Sequence, residues 1–142
     1  MTALDIIQAA MQCLDVPFRH QGRQIAPGPG CGIDCVGLAV HVARCCGLDY
    51  ADQQGYGRSP AKGLLADALD AQPCLALMPR TDMQPGDLLL MRFKSEPQHV
   101  AILTGPTIIH AWEQPGICCE HDFTDVWRKR VVRVYRFVER AQ

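Results

Sequence analysis

The sequence lacks the features that mark several common protein classes. Lys plus Arg number 14 and Asp plus Glu number 15, with no basic tail or acidic run, so we expect no nucleic-acid partner. No segment approaches the ~20 consecutive apolar residues that are needed to span a bilayer. The N-terminus lacks the cationic start and apolar run of a secretory signal. We therefore expect a protein that is made in the cytoplasm and has no membrane span.

Cysteine, by contrast, is abundant, and the eight cysteines stand at positions 13, 31, 35, 45, 46, 74, 118 and 119. This density stays below the ~8–10% that marks a disulfide scaffold. We interpret most of them as small buried hydrophobic residues, with Cys35 as the exception and Cys31 as the next candidate. Whether any of them form disulfides stays open. The length of 142 residues, without repeat or linker, predicts one domain over residues 1–142.

The first half of the chain carries helix patterns. Thr2 and Asp5 have the spacing of a capping box. The helix that follows is predicted to bury a face formed by Leu4, Ile7, Met11 and Leu14. A second helix is predicted over residues 35–46, where nearly every residue is apolar or small and Gly47 provides a stop. A third, short helix is predicted after Ser59-Pro60, a pair that suits the first positions of a helix.

After about residue 74 the pattern changes to short strands bounded by Pro-Gly and Gly-Pro pairs. The predicted strands are residues 88–93, 99–104, 107–111 and 131–138. Helices followed by strands indicate an α+β fold, with N-terminal helices packed on a C-terminal antiparallel sheet. In this fold Cys35 stands at the N-terminal end of a buried helix, directly after a glycine-rich loop.

The position of Cys35 suits a nucleophile. A helix N-terminus stabilises the thiolate, which is the reactive form, and the backbone N–H of Cys35 can face an oxyanion. A cysteine nucleophile also needs a base, and a third group that holds the base. Position alone leaves the alternative open that Cys35 is one more buried thiol.

His99 and His110 are the candidates for the base and the third group. They lie on two predicted strands that Gly105-Pro106 can join through a two-residue turn. Residues 104 and 107 then pair, residue 99 faces residue 112, and His110 is the diagonal neighbour of His99 on the same face, within reach of ring contact. The alternative, that one of them is an ordinary core histidine, stays open.

Several segments resemble the NlpC-type cell-wall cysteine peptidases, particularly the branch encoded with bacteriophage tail genes. The resemblance is carried, in the family's order, by residues 16–23, 34–38, 85–89, 98–102, 108–111 and 127–137. It implies a papain-like fold, no cofactor, and a thiol protease in which His99 keeps Cys35 ionised and His110 orients His99. The implied substrates are peptidoglycan stem peptides, cut next to γ-D-Glu. Phage tail proteins are the other implied partners, and the implied location is the virion or phage tail.

The resemblance also points to substrate-binding residues. Many relatives carry Tyr at the position of Phe18 and Ser at that of Val36. Phe18 cannot donate a hydrogen bond near the oxyanion, and Val36 cannot hold the amine end of a stem peptide through a hydroxyl. Asp34 is interpreted as a residue that hydrogen-bonds substrate or loop. Arg19 and Arg23 can pair with stem-peptide carboxylates, or they are solvated loop charges.

Three other functions stay open. The domain can be a structural component of a tail that has kept its active-site residues. It can also be an amidase or acyltransferase, because a fold does not determine its substrate. Finally, Cys31 and Cys35 with histidines can form a zinc site, although we find no second matching pair of ligands.

Overall fold

The computed structural model of the chain describes residues 1–53, 55–57, 63–93 and 97–139. The described helices are α1 (Ala3–Met11), α2 (Cys35–Cys45), α3 (Leu64–Asp70) and the short α4 (Asp125–Arg128), with one 3-10 turn at Arg80–Asp82. The described strands are β1 (Arg23–Gln24), β2 (Gly32–Ile33), β3 (Leu75–Met78), β4 (Leu88–Arg92), β5 (Pro97–Leu103), β6 (Thr107–Trp112), β7 (Ile117–Asp122) and β8 (Val131–Phe137). Within these residues, no helix is both long and apolar enough to cross a bilayer.

Six of the strands form one antiparallel sheet in the order β3-β8-β4-β5-β6-β7, which confirms the predicted α+β fold. Side chains along the strands alternate between two hydrophobic cores. The larger core, with Leu90 and Val100, packs under α1, α2 and α3. The smaller core, with Leu89 and Ala101, packs on the other face, where Trp127 of α4 covers it. Because side chains in a strand have period two, neighbouring residues of β4 and β5 serve different cores.

Helix α1 begins as predicted but buries a different face. Thr2 and Asp5 form the predicted capping box, in which the side chain of each residue accepts a hydrogen bond from the backbone N–H of the other. The predicted face is wrong, because Leu4 and Met11 are 61% and 50% exposed. The buried residues of α1 are Ile6, Ala9 and Ala10. Both sets have helical spacing, and the face with small alanine side chains is the one buried in the core that α1 shares with α2.

The helix that carries Cys35 has the predicted bounds within one residue. Asp34 is its N-cap and accepts a hydrogen bond from the Gly37 N–H, and the chain leaves the helix through Gly47 at φ +68°. A φ in this range favours glycine, so Gly47 acts as the predicted stop. The third helix is also present, but it follows Gly63, and the predicted cap at Ser59-Pro60 lies outside the described residues.

All four predicted strands are present, with ends that differ by one or two residues. Sequence reasoning missed β7, which pairs with β6 along its whole length from Thr107↔Asp122 to Trp112↔Ile117. It also missed β3 at the other edge of the sheet and the two-residue strands β1 and β2. Strand β7 matters for function, because it brings a third histidine to the predicted pair.

Candidate active site

The start of α2 lies under a loop whose backbone needs glycine at two positions. A Cβ on Gly37 would stand 2.3 Å from the Gly22 carbonyl oxygen, and a Cβ on Gly22 would stand 2.3 Å from the Gly32 carbonyl oxygen. Real Cβ atoms do not approach backbone oxygens so closely. Two residues after the candidate nucleophile, Gly37 therefore lets the loop pack against the first turn of α2 and helps to fix the position of Cys35.

The Asp34 carboxylate ties this loop to the helix. It accepts hydrogen bonds from the backbone N–H of Gly37 at 2.8 Å and of Gln21 at 2.9 Å, from the Arg23 guanidinium at 3.0 Å and from the Tyr56 hydroxyl. Asp34 is 5% exposed, so its charge needs these donors. The loop role that the sequence suggested for Asp34 is present in the structure, although the residue also borders the cleft.

The two arginines of the loop differ in their environment. Arg23 pairs with Asp34 and also with Asp52, through Nε and Nη2 at 2.9 and 3.1 Å from the two Asp52 oxygens. Its guanidinium is thus occupied by two protein carboxylates, so Arg23 is neither a solvated loop charge nor a good ligand for a stem-peptide carboxylate. Arg19 is exposed, and neither arginine belongs to the described lining of the cleft.

Cys35 lies at the start of α2 and borders the cleft. The pKa of its thiol is raised to about 12, mainly by burial and then by the Asp34 carboxylate, although the backbone N–H groups of Val100, Val36 and Cys35 lower it. The raised pKa disfavours, in the resting protein, the ionised thiol that the resemblance implies. The stabilisation by N–H groups that the sequence predicted is present, but desolvation outweighs it.

The hairpin of β5 and β6 has the register that the sequence predicted. Ile102 pairs with Ile109 and Leu103 with Ile108, and the Thr104 N–H donates to the Thr107 carbonyl at 2.9 Å. His99 and His110 accordingly lie side by side, with His99 Nε2 at 2.6 Å from His110 Nδ1. The Val100 N–H lowers the pKa of the Cys35 thiol, which places the residue after His99 close to the candidate nucleophile.

A third histidine, His121 of β7, continues this row. His110 Nε2 lies 2.8 Å from His121 Nε2, and His121 Nδ1 lies 3.0 Å from the Asp122 carbonyl oxygen. The sequence contained a usable signal: His121 follows His110 by 11 residues, the same interval that separates His110 from His99. Strand β7 was not predicted, and its pairing with β6 places residue 121 on the same face as residue 110.

Aromatic rings enclose the row of histidines. Trp112 stacks on His110 with ring centroids 5.5 Å apart, Trp127 contacts His110 and His121 edge-on or tilted, and Phe93 contacts His99 at 5.0 Å. The pKa of His110 is lowered to about 3, mainly by burial among these rings and then by the neighbouring His121.

The pKa of His99 is also lowered, by burial first and then by the neighbouring His110 and Arg130. The cationic form of an imidazole loses its hydration in such a site. His99 and His110 are therefore neutral in the resting protein, which is the state that a general base requires.

Cys35 and His99 border the same cleft, whose volume is about 470 Å³. Phe18 and Val36, two positions that differ from many relatives, both line it. Tyr50 lines it as well, and burial raises the pKa of its hydroxyl, so Tyr50 stays a hydrogen-bond donor. The cleft thus joins a thiol, an imidazole and a phenol within mostly apolar walls, an arrangement suited to acyl transfer from an amide.

The other cysteines have ordinary surroundings. All eight lie in the described part of the chain as free thiols, and the Cys31 sulfur is 3.8 Å from the Ile25 carbonyl oxygen, to which it can donate. No group of three or more His, Cys, Asp or Glu side chains in the described ranges has the geometry to hold a metal ion. Cys31 and Cys35 are thus not brought together with histidines as the zinc alternative requires.

Solved structures with the same fold are numerous. The chain aligns with an NlpC/P60 family protein from Bacillus cereus (TM-score 0.63, 20% identity, 97% of this chain and 41% of that one). It also aligns with the peptidoglycan hydrolase RipB from Mycobacterium tuberculosis (TM-score 0.62, 20% identity, 96% and 65%). A third match is the NlpC/p60 domain of the peptidoglycan hydrolase SagA (TM-score 0.61, 18% identity, 94% and 97%).

The chain spans less than two thirds of the first two of these proteins. A search of curated proteins found no match. The sequence model of the NlpC/P60 family matches residues 15–136, which include the loop before α2, the helix of Cys35 and all three histidine-bearing strands. The chain therefore belongs to the NlpC/P60 family.

Proposed function

We propose that this domain is a cysteine peptidase that hydrolyses amide bonds in peptidoglycan stem peptides. The observation that carries the proposal is the cleft that both Cys35 and His99 line, with His110 hydrogen-bonded to His99. Membership of the NlpC/P60 family supports it, as does the fold shared with two proteins named as peptidoglycan hydrolases.

The reaction begins with a neutral thiol and a neutral imidazole. His99 removes the proton of Cys35 while the sulfur attacks the amide carbonyl, and the backbone N–H of Cys35 stabilises the oxyanion. The imidazolium then returns the proton to the leaving amine. Water, activated by the same imidazole, hydrolyses the thioester and restores the thiol.

For the scissile bond, the resemblance favours cleavage next to γ-D-Glu. Phe18 and Val36 line the cleft without the hydroxyl groups that many relatives have at these positions. Tyr50 carries a hydroxyl in the same cleft, and its proximity to Cys35 contributes to its raised pKa. In our proposal Tyr50 supplies the oxyanion hydrogen bond that Phe18 cannot donate.

We further propose that the protein acts as part of a phage tail, made in the host cytoplasm and carried to the wall by the particle. The similarity of residues 127–137 to the phage branch supports this location. Detection of the chain by mass spectrometry in purified particles from a host that encodes it tests the location. Its absence from particles that contain the other tail proteins would refute it.

The activity is tested with purified peptidoglycan and with defined stem peptides, whose fragments are identified by mass spectrometry. Cys35→Ala should abolish hydrolysis, while the matched control Cys31→Ala, which removes a nearby thiol outside the described cleft lining, should retain it. A wild-type protein without activity would favour a structural role in the tail. Transfer of the acyl group to an added amine, without hydrolysis, would favour an acyltransferase.

A further inference from the structure

We propose that His121 is a positioning residue that selects the catalytic tautomer of His99 through His110. The inference rests on the proposed function, because it specifies which nitrogen of His99 acts as the base. It concerns a residue that touches neither the cleft nor the thiol in the described structure. The carrying observation is an unbroken row of contacts from His99 through His110 and His121 to the carbonyl of Asp122.

The Asp122 carbonyl at the end of the row determines which group donates in each hydrogen bond. A carbonyl oxygen only accepts, so the contact of 3.0 Å requires that His121 Nδ1 carries a proton and donates to Asp122. In a neutral imidazole the other nitrogen then accepts. His121 Nε2 therefore accepts a hydrogen bond from His110 Nε2, at 2.8 Å.

The same rule determines the donor in the hydrogen bond between His110 and His99. His110 has its proton on Nε2, so His110 Nδ1 accepts from His99 Nε2, at 2.6 Å. The proton of neutral His99 therefore resides on Nε2, and its Nδ1 keeps the free electron pair. Because His99 Nε2 faces His110, Nδ1 is the nitrogen that remains to take the proton of Cys35, and in the opposite tautomer Nδ1 has no free electron pair.

Two features hold the three rings in this arrangement. The pairing of β6 with β7 is continuous, so His110 opposite Cys119 has His121 as its diagonal neighbour. Trp127 contacts both His110 and His121, with centroid distances of 5.1 and 4.8 Å. A change of tautomer at any ring would leave two donors or two acceptors facing each other inside this enclosure, which is unfavourable.

The tautomer is measured directly by NMR on protein with ¹⁵N-labelled histidine. We expect His99 of the wild type to be the Nε2–H tautomer. His121→Gln keeps an acceptor near His110 Nε2 and should preserve this tautomer. His121→Phe keeps a ring but removes the acceptor, and should give His99 a mixture of tautomers.

Kinetics supply the second measurement. We expect His121→Phe to lower kcat about tenfold with little change in KM, since one hydrogen bond between neutral groups contributes about as much as a factor of ten in an equilibrium constant. His121→Gln should retain most of kcat. The control His41→Gln alters a histidine that faces Gln12 and Cys45 on another surface, and should change neither readout.

The outcomes separate this inference from the proposed function. An Nδ1–H tautomer of His99 in the wild type would overturn it, and so would a folded His121→Phe with unchanged tautomer and kcat. If His121→Phe does not fold, the wild-type tautomer and the activity of His121→Gln decide. A wild type with the Nε2–H tautomer that hydrolyses no peptide would refute the proposed function and leave the inference about tautomers intact.

Discussion

The substitution Asp34→Asn should destabilise the protein and at the same time make the Cys35 thiol more acidic. Asp34 is buried, and its two oxygens accept from Gly37, Gln21, Arg23 and the Tyr56 hydroxyl. An Asn side chain can keep the cap on Gly37 with its single oxygen. Its NH₂ group then faces the Gln21 N–H, which is also a donor, and the charge that pairs with Arg23 is lost.

The magnitude follows from these losses. The bond to Gln21 and the ion pair with Arg23 are both charge-assisted, and each such bond contributes about 1.5–3 kcal/mol. Arg23 keeps Asp52 as a partner, so the full cost of an unpaired buried charge does not apply. We expect a loss of about 3 kcal/mol in the free energy of unfolding, which lowers Tm by about 10 °C in a domain of this size.

The same substitution should make the Cys35 thiol more reactive. Asp34 raises the pKa of Cys35 by its charge, second only to burial. Its neutralisation should therefore lower that pKa, and alkylation of Cys35 by iodoacetamide at neutral pH should become faster. The rate is followed by mass spectrometry of the Cys35 peptide, because the chain contains seven other cysteines.

Asp52→Asn is the matched control for this experiment. It removes the other carboxylate from Arg23 and should also destabilise the protein, but Asp52 does not contribute to the raised pKa of Cys35. Equal acceleration of Cys35 alkylation in both variants would mean that loosening of the loop, and not charge, controls the thiol. A stable Asp34→Asn would show that the carboxylate does not hold the loop.

Two further predictions concern the base and the loop. Because burial keeps Cys35 and His99 neutral, kcat/KM should lack the alkaline decline above about pH 8 that loss of an imidazolium gives. Hydrolysis should also be slower in D₂O, because a proton moves in the first step. An alkaline decline and no isotope effect would contradict a neutral pair. Gly37→Ala should cost about 2 kcal/mol of stability and lower kcat, since its Cβ meets the Gly22 carbonyl at 2.3 Å. The control Gly57→Ala, with open space at its Cβ, should leave the stability unchanged, and a Gly37→Ala variant as stable as the wild type would refute the close approach.

The fold and the central pair of histidines were predictable because strong local signals determine them. The Gly105-Pro106 turn specifies the register of its hairpin, and the parity of that register places His99 beside His110. The bounds of α2 were predictable for a similar reason, since Asp34 and Gly47 mark its two ends. In each case a short-range rule about turns or caps is sufficient.

Other features depend on contacts between segments that are distant in the sequence. The pairing of Arg23 with Asp52 joins residues 29 apart, and no local pattern indicates it. The raised pKa of Cys35 depends on how completely the protein surrounds the sulfur, which helix position alone does not determine. The prediction of the buried face of α1 was wrong because two faces of the helix have equal helical spacing. Packing in the shared core selected the face with small residues.

The neutrality of His99 and His110 explains why the direction of their hydrogen bond matters. A carboxylate in place of His110 would stabilise an imidazolium on His99 by its charge, but it would be buried between Trp112 and Trp127, where an unpaired charge is costly. Arg130, which stacks on Trp127, further disfavours positive charge on His99. A neutral third residue fits this apolar enclosure, yet it helps the base mainly by orientation. The acceptor at the end of such a row sets the direction of its hydrogen bonds. A backbone carbonyl on β7 therefore helps to determine which nitrogen of His99 acts as the base.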